Sequence, residues 1–159
     1  MPSVASRPRP RRDALIQLLR TSESLWNASR VFFARWDLGP SQFNILNLLK
    51  DQPAGCSQVE LSRLLVVHRS NVTGLIDRLE KRGLVRRLSV AGDRRSYRVI
   101  LTPAGRKLLA KILPEYERAA EDIWNDLSAG RTQALVRDLA GLDRRLAAFV
   151  LSHRPPRIK

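Results

Sequence analysis

Two short stretches of the chain are crowded with groups that bind polyanions and base edges. His68, Arg69, Ser70, Asn71 and Thr73 set five hydrogen-bonding side chains within six residues. Arg and Asn side chains form paired hydrogen bonds to guanine and adenine edges in a DNA major groove, and Ser and Thr hydroxyls supplement them. The second stretch is Asp93-Arg94-Arg95, directly after Ala91-Gly92. A guanidinium on such a tip can enter an electronegative minor groove while Asp93 orients its neighbour through a charge-assisted pair. Either arginine suits that role. Arg78, Arg86 and Arg87 suit phosphate oxygens. Each group also has a plainer reading: capping and surface for 68–73, a solvated hairpin tip for 93–95, a charged face for Arg78, Arg86 and Arg87.

Other chemistry is sparse. Cys56 is the single cysteine, so an intrachain disulfide is ruled out, and its apolar setting reads as packing rather than redox sensing. His68 and His153 stand far apart without acidic or Cys partners at ligand spacing, so no metal is expected, nor any cofactor. The sequence offers no glycine-rich phosphate loop and no Ser-His-Asp or Cys-His pattern, so an enzyme is not expected. Trp26, Phe33, Trp36 and Phe43 fit two roles: the wall of a pocket for a small aromatic ligand, or plain core and dimer packing.

These groups must be held by a scaffold, and the periodicity supplies one. Apolar residues at three- and four-residue steps predict a long amphipathic helix over 12–36, ending before Gly39-Pro40. Ser41 is placed to cap a short helix through Leu49. Pro53-Ala54-Gly55 reads as a loop, and Ser57-Gln58-Val59-Glu60 as a capping box for a helix to Leu65. Another helix is expected over 69–82, stopped by Gly83. Strands over 84–88 and 96–101 follow, joined by a basic tip. Thr102-Pro103 opens a long helix that contains Pro114, and Ser128 opens a last helix to Leu151. The fold class is therefore mainly α with a small β-hairpin wing: a winged helix-turn-helix over 41–102 flanked by long dimerisation helices, 12–40 plus 103–151. The recognition helix of such a motif fits the major groove, and the wing a minor groove or the backbone. Residues 1–11 and 152–159 are expected to be disordered basic tails.

Charge agrees with this layout. The 159-residue chain carries 29 basic and 15 acidic residues, a net +14 with a pI near 11.4. Ten basic and four acidic residues fall between 57 and 102, which leaves +6 on the expected helix-turn-helix and wing. Such a surface attracts nucleic acid or acidic membranes. The longest purely apolar run, Leu146–Leu151, is far short of the about 20 residues a membrane helix needs, so no membrane partner is expected. The N-terminus lacks an apolar signal region and the cysteine count is low, which points to the cytoplasm.

Residues 57–106 resemble the MarR family of transcription regulators. The similarity is carried by Leu79-Glu80-Lys81-Arg82-Gly83-Leu84-Val85, by Asp93-Arg94-Arg95, and by Leu101-Thr102 with Gly105. The resemblance implies a homodimer that binds a pseudopalindromic double-stranded DNA operator and acts as a repressor; many members are released by small phenolic ligands or by thiol oxidation, and a small aromatic effector is the expectation here. Three positions depart from the family pattern. Val66 replaces a turn Gly, His68 replaces an N-cap Ser, and Gly74 replaces a long basic residue facing the groove. A competing reading keeps only the charge: a general nucleic-acid-binding or nucleoid-associated protein without an effector.

Overall fold

The computed structural model describes residues 9–65, 72–90 and 93–153, with only the backbone described at Val90 and at 93–96. Helix α1 spans Pro10–Ala34, α2 Pro40–Lys50, α3 Gln58–Leu64 and α4 Val72–Lys81. Strands β1 (Cys56–Ser57), β2 (Val85–Val90) and β3 (Asp93–Leu101) form one antiparallel sheet in the order β1-β3-β2. Helices α5 (Pro103–Trp124) and α6 (Ala129–Ser152) complete the chain. Two compact units result, Met1–Lys111 and Ile112–Lys159.

The winged helix-turn-helix is present, with adjustments at its edges. Strand β1 was not expected; it pairs Cys56 with Val99 and Ser57 with Arg98, so the wing hairpin gains a third strand. Two residues are too few to show an alternation, which hides this strand from periodicity. Gly55 makes the pairing possible. It sits at φ +72°, and a Cβ there would stand 2.5 Å from the Val99 carbonyl oxygen. The hairpin strands run further toward the tip than expected, to Val90 and from Asp93. Helix α2 is capped at Gly39 rather than Ser41. Pro40 takes the first helical position, where its fixed φ is already helical, and Gln42 Oε1 accepts from the Gly39 N–H at 2.8 Å. Helix α1 starts at Pro10, inside the stretch expected as a tail, and stops two residues early because Asp37 turns to φ +52°. The remaining residues of both tails, 1–8 and 154–159, lie outside the described residues.

Other boundaries fall as the sequence signals them. Ser57 Oγ accepts from the Glu60 N–H at 3.2 Å while a Glu60 carboxylate oxygen accepts from the Ser57 N–H at 2.6 Å. Thr102 Oγ1 caps α5 by accepting from the Gly105 N–H at 3.0 Å, and Ser128 Oγ caps α6 from the Arg131 N–H at 3.4 Å. Helix α5 runs through Pro114 without a break. In the first unit, α2 packs against α1, α3, α4 and β3. Phe43, Ile45, Leu46 and Leu49 of α2 meet Leu61 of α3, Ile76 and Leu79 of α4 and Val99 of β3 in a core that, among the described residues, buries no charged or polar residue. This core fixes the angle between α3 and α4 and seats the sheet behind them.

Candidate nucleic-acid interface

Helix α4 owes its orientation to one apolar stripe. Val72, Leu75, Ile76 and Leu79 are all buried, which leaves Thr73, Asp77 and Arg78 on the solvent side. Thr73 Oγ1 is held by Gln58: the Gln58 Nε2 donates to it. Gln58 Oε1 in turn accepts from the Tyr97 hydroxyl on β3. One side chain at the start of α3 therefore bridges α4 and the wing. Gly74 is partly exposed on α4, and a Cβ there would stand 3.7 Å from the Arg78 guanidinium.

Strand alternation separates the two wing arginines that precede the tip. Arg86, paired with Ile100, is exposed on the outer face of the sheet. Arg87, paired with Val99, lies half-buried on the face toward α4. Its guanidinium is ion-paired with both Asp77 and Glu80, and its backbone N–H donates to Glu80 Oε1 at 2.7 Å. The same guanidinium lies 4.9 Å from the centroid of the Tyr97 ring. Partial burial works against its charge, but bonding to Asp77, Tyr97 and Glu80 outweighs that, so its pKa stands above the ordinary arginine value. Arg87 was expected at a phosphate. In the structure it is ion-paired with two carboxylates of α4 and joins the helix to the wing.

The remaining expected DNA contacts stand as follows. His68, Arg69, Ser70 and Asn71 lie outside the described residues. Asp93, Arg94 and Arg95 are on β3 at its tip end, with their side chains undescribed. Sequence spacing missed Gln58 and Tyr97. They are 39 residues apart, and no local period connects them.

Of the four aromatic candidates, Phe33, Phe43 and Trp36 are linked through Phe32, while Trp26 lies further along α1. Phe33 and Phe43 are 3% and 1% exposed and stack at 4.3 Å, which makes them core between α1 and α2. Trp36 sits in the turn after α1, beside Phe32 at 5.4 Å. Trp26 is 41% exposed, and seven residues of helix put it about 10 Å along α1 from Phe33. Cys56 is 4% exposed, and burial raises its thiol pKa, with Glu60 adding to the shift and Arg98 opposing it. Among the described residues no cluster of His, Cys, Asp and Glu could hold a metal ion, and no helix is long and apolar enough to cross a membrane.

Comparison with known proteins agrees with this geometry. A family model described as MarR family matches residues 36–96, which takes in α2, α3, α4, β2 and the first four residues of β3. The HTH-type transcriptional regulator PecS of Dickeya dadantii is 31% identical over 113 residues, covering 70% of this chain and 68% of that protein. The transcriptional regulator HosA of Escherichia coli O157:H7 is 34% identical over 108 residues, covering 65% of this chain and 79% of that protein. Among solved structures, BpsR of Bordetella bronchiseptica, whose DNA binding is regulated by 6-hydroxynicotinic acid, superposes with a TM-score of 0.72 at 27% identity. That match covers 90% of this chain and 98% of BpsR. With its winged helix-turn-helix and these relatives, the chain belongs to the MarR family of DNA-binding transcriptional regulators.

Proposed function

We propose that the protein is a homodimeric, sequence-specific repressor that binds a pseudopalindromic operator and is released by a small aromatic effector. Thr73 of α4, with Arg69, Ser70 and Asn71 before it in sequence, reads base edges in the major groove, and Arg94 or Arg95 enters the minor groove from the wing. Arg78 and Arg86, exposed and free of the carboxylates that hold Arg87, serve phosphates. The observation that carries the reading is the bridge of Gln58 between Thr73 and Tyr97. It ties the base-reading helix to the wing as one unit, which simultaneous contact with two grooves requires.

Dimerisation is supported by the apolar residues left in solvent. Leu15, Leu19 and Val31 on α1, and Phe149, Val150 and Leu151 on α6, are all about half exposed or more. Apolar faces of this extent on a single chain mark an interface. The effector draws its support from BpsR and from Trp26 and Trp36, which keep exposed surface while Phe33 and Phe43 do not. The cytoplasm is the compartment in which such a protein meets DNA.

The test is a fluorescence-anisotropy titration of the full chain on a duplex of about 40 base pairs from upstream of its own gene, against a scrambled duplex, at two salt concentrations. Specific binding tighter by at least about a thousandfold is expected at the higher salt. Equal affinity for both duplexes, falling steeply with salt, would instead mark a general nucleic-acid binder. Sedimentation equilibrium at micromolar concentration checks the dimer; a strict 18 kDa monomer contradicts it.

A further inference from the structure

We infer that Tyr97 and Gln58 are positioning residues that set how α4 is rolled against the wing, and that DNA discrimination depends on the hydroxyl of Tyr97 although it need not touch DNA. The inference rests on the reading of α4 as the base-reading helix and adds to it the device that aims the helix.

Three residues of α4 are tied to the wing side: Thr73, Asp77 and Glu80. They follow one another at spacings of four and three, so they form a single stripe along the helix. The upper tie runs from Thr73 through Gln58 to the Tyr97 hydroxyl. The lower ties run from Asp77 and Glu80 to Arg87, whose guanidinium rests 4.9 Å from the Tyr97 ring centroid. Tyr97 is therefore held at both ends, by its hydroxyl through Gln58 and by its ring under Arg87. The apolar stripe of Val72, Leu75, Ile76 and Leu79 seats α4 on the core, but apolar packing is non-directional. The polar ties fix the roll.

Roll matters because base readout depends on position. A bidentate contact to a base edge discriminates only when donor and acceptor meet at hydrogen-bond distance. The tie also sets the polarity of Thr73. Its oxygen accepts from Gln58, so the hydroxyl's own proton is available for an acceptor on a base edge. Arg87 and Tyr97 are both partly buried, where such bonds are stronger than on open surface.

Tyr97→Phe removes the hydroxyl, with its bonds to Gln58 and to the Arg87 guanidinium, and keeps the ring under Arg87. Gln58→Ala removes the bridge. The full-length dimer and both variants, with their double mutant, are titrated on the upstream duplex and on its scramble across a salt series. Amide hydrogen exchange of the peptide covering 72–81 is followed in the absence of DNA. Each single variant is expected to narrow the ratio between the two duplexes by at least about fivefold. The double mutant should lose no more than the worse single, because one chain of bonds is cut twice. The salt slope should stay as in the wild type and the thermal midpoint should fall by no more than about 5 °C, while exchange quickens in α4. A merely structural tyrosine would lower the midpoint by more than that and weaken both duplexes together, and that result overturns the inference. So does a Tyr97→Phe ratio equal to the wild type's. If the wild type itself binds both duplexes equally, the base-reading role fails and this inference fails with it; a wild type that discriminates alongside an unaffected Tyr97→Phe sinks the inference alone.

Discussion

Arg82 and Trp36, 46 residues apart in sequence, are joined by a guanidinium-to-carbonyl hydrogen bond of 3.0 Å. The same guanidinium donates to the Asp37 carbonyl and lies 3.6 Å from the Asp37 carboxylate. Arg82 directly follows the last residue of α4, and residues 35–38 form the elbow between α1 and α2. The elbow carries Asp37 at φ +52°, a left-handed conformation that L-residues adopt at a cost. Arg82 satisfies two carbonyls there and so holds the elbow in place.

Arg82→Ala should therefore destabilise the fold by about 1–2 kcal/mol, the cost of unmaking charge-assisted bonds to backbone oxygens. Arg82→Lys should recover less than half of it, because an ammonium cannot fork across two carbonyls. Urea midpoints with an unchanged slope measure this. A midpoint in the alanine variant equal to the wild type's would mean that the elbow stands without the brace.

Gly105 presents a sharper steric demand. A Cβ added there would stand 2.1 Å from the Leu84 carbonyl oxygen, and 2.9 Å from Leu101 Cδ1. The first turn of α5 thus lies directly on the start of the hairpin. Gly105→Ala, although alanine favours helix, should cost about 2 kcal/mol or more by overpacking. Thermal unfolding should show a midpoint about 5 °C lower. A rise in the midpoint would contradict this packing.

Two pKa shifts give opposite pH signatures. Burial raises the Cys56 thiol. Its contribution to stability is therefore intact below the ordinary thiol pKa of about 8.5 and is lost as pH rises through the higher folded value. At neutral pH the group is a protonated, sheltered thiol, a poor nucleophile. Cys56→Ser should leave DNA affinity and its response to peroxide unchanged, with only a modest stability loss. Peroxide that released the wild type from DNA but not the variant would refute this.

Glu60 behaves the other way. Hydrogen bonds from the Ser57 backbone N–H and hydroxyl lower its pKa. Its stabilisation is present above the ordinary carboxyl value of about 4.3 and is lost as pH falls through the lower folded one. Glu60→Gln should flatten the acid limb of the stability curve below about pH 4.3, and Ser57→Ala should cost about 1 kcal/mol at neutral pH. An unchanged acid limb in the glutamine variant would show that the capping carboxylate does not titrate with unfolding.

What was legible in the sequence was what rests on local periodicity and capping chemistry. The buried stripe Val72, Leu75, Ile76 and Leu79, and the caps at Ser57, Thr102 and Ser128, could be read directly because each signal lies within one or two helical turns. What depends on tertiary pairing was not legible. Strand β1 exists because Gly55 lets the chain approach Val99. Arg86 and Arg87 look alike in sequence, yet strand alternation turns one to solvent and the other to Asp77 and Glu80. Gln58 gave no hint of its role because both partners, Thr73 and Tyr97, reach it only after α3, α4 and the wing have packed.

The central claim is a division of labour: residues 69–73 read bases and the wing supplies sequence-independent contact. Anisotropy titrations of Asn71→Ala, Arg94→Ala and Arg95→Ala on the upstream duplex and its scramble, each across a salt series, test it directly. Asn71→Ala should narrow the gap between the duplexes by a factor within the roughly 5- to 150-fold range of one base contact, with the salt slope nearly unchanged. One or both wing variants should weaken the two duplexes alike and flatten the slope by up to about one phosphate-equivalent. If Asn71→Ala weakens both duplexes equally and neither wing variant changes either, the helix does not read bases, the wing does not touch DNA, and the account is contradicted.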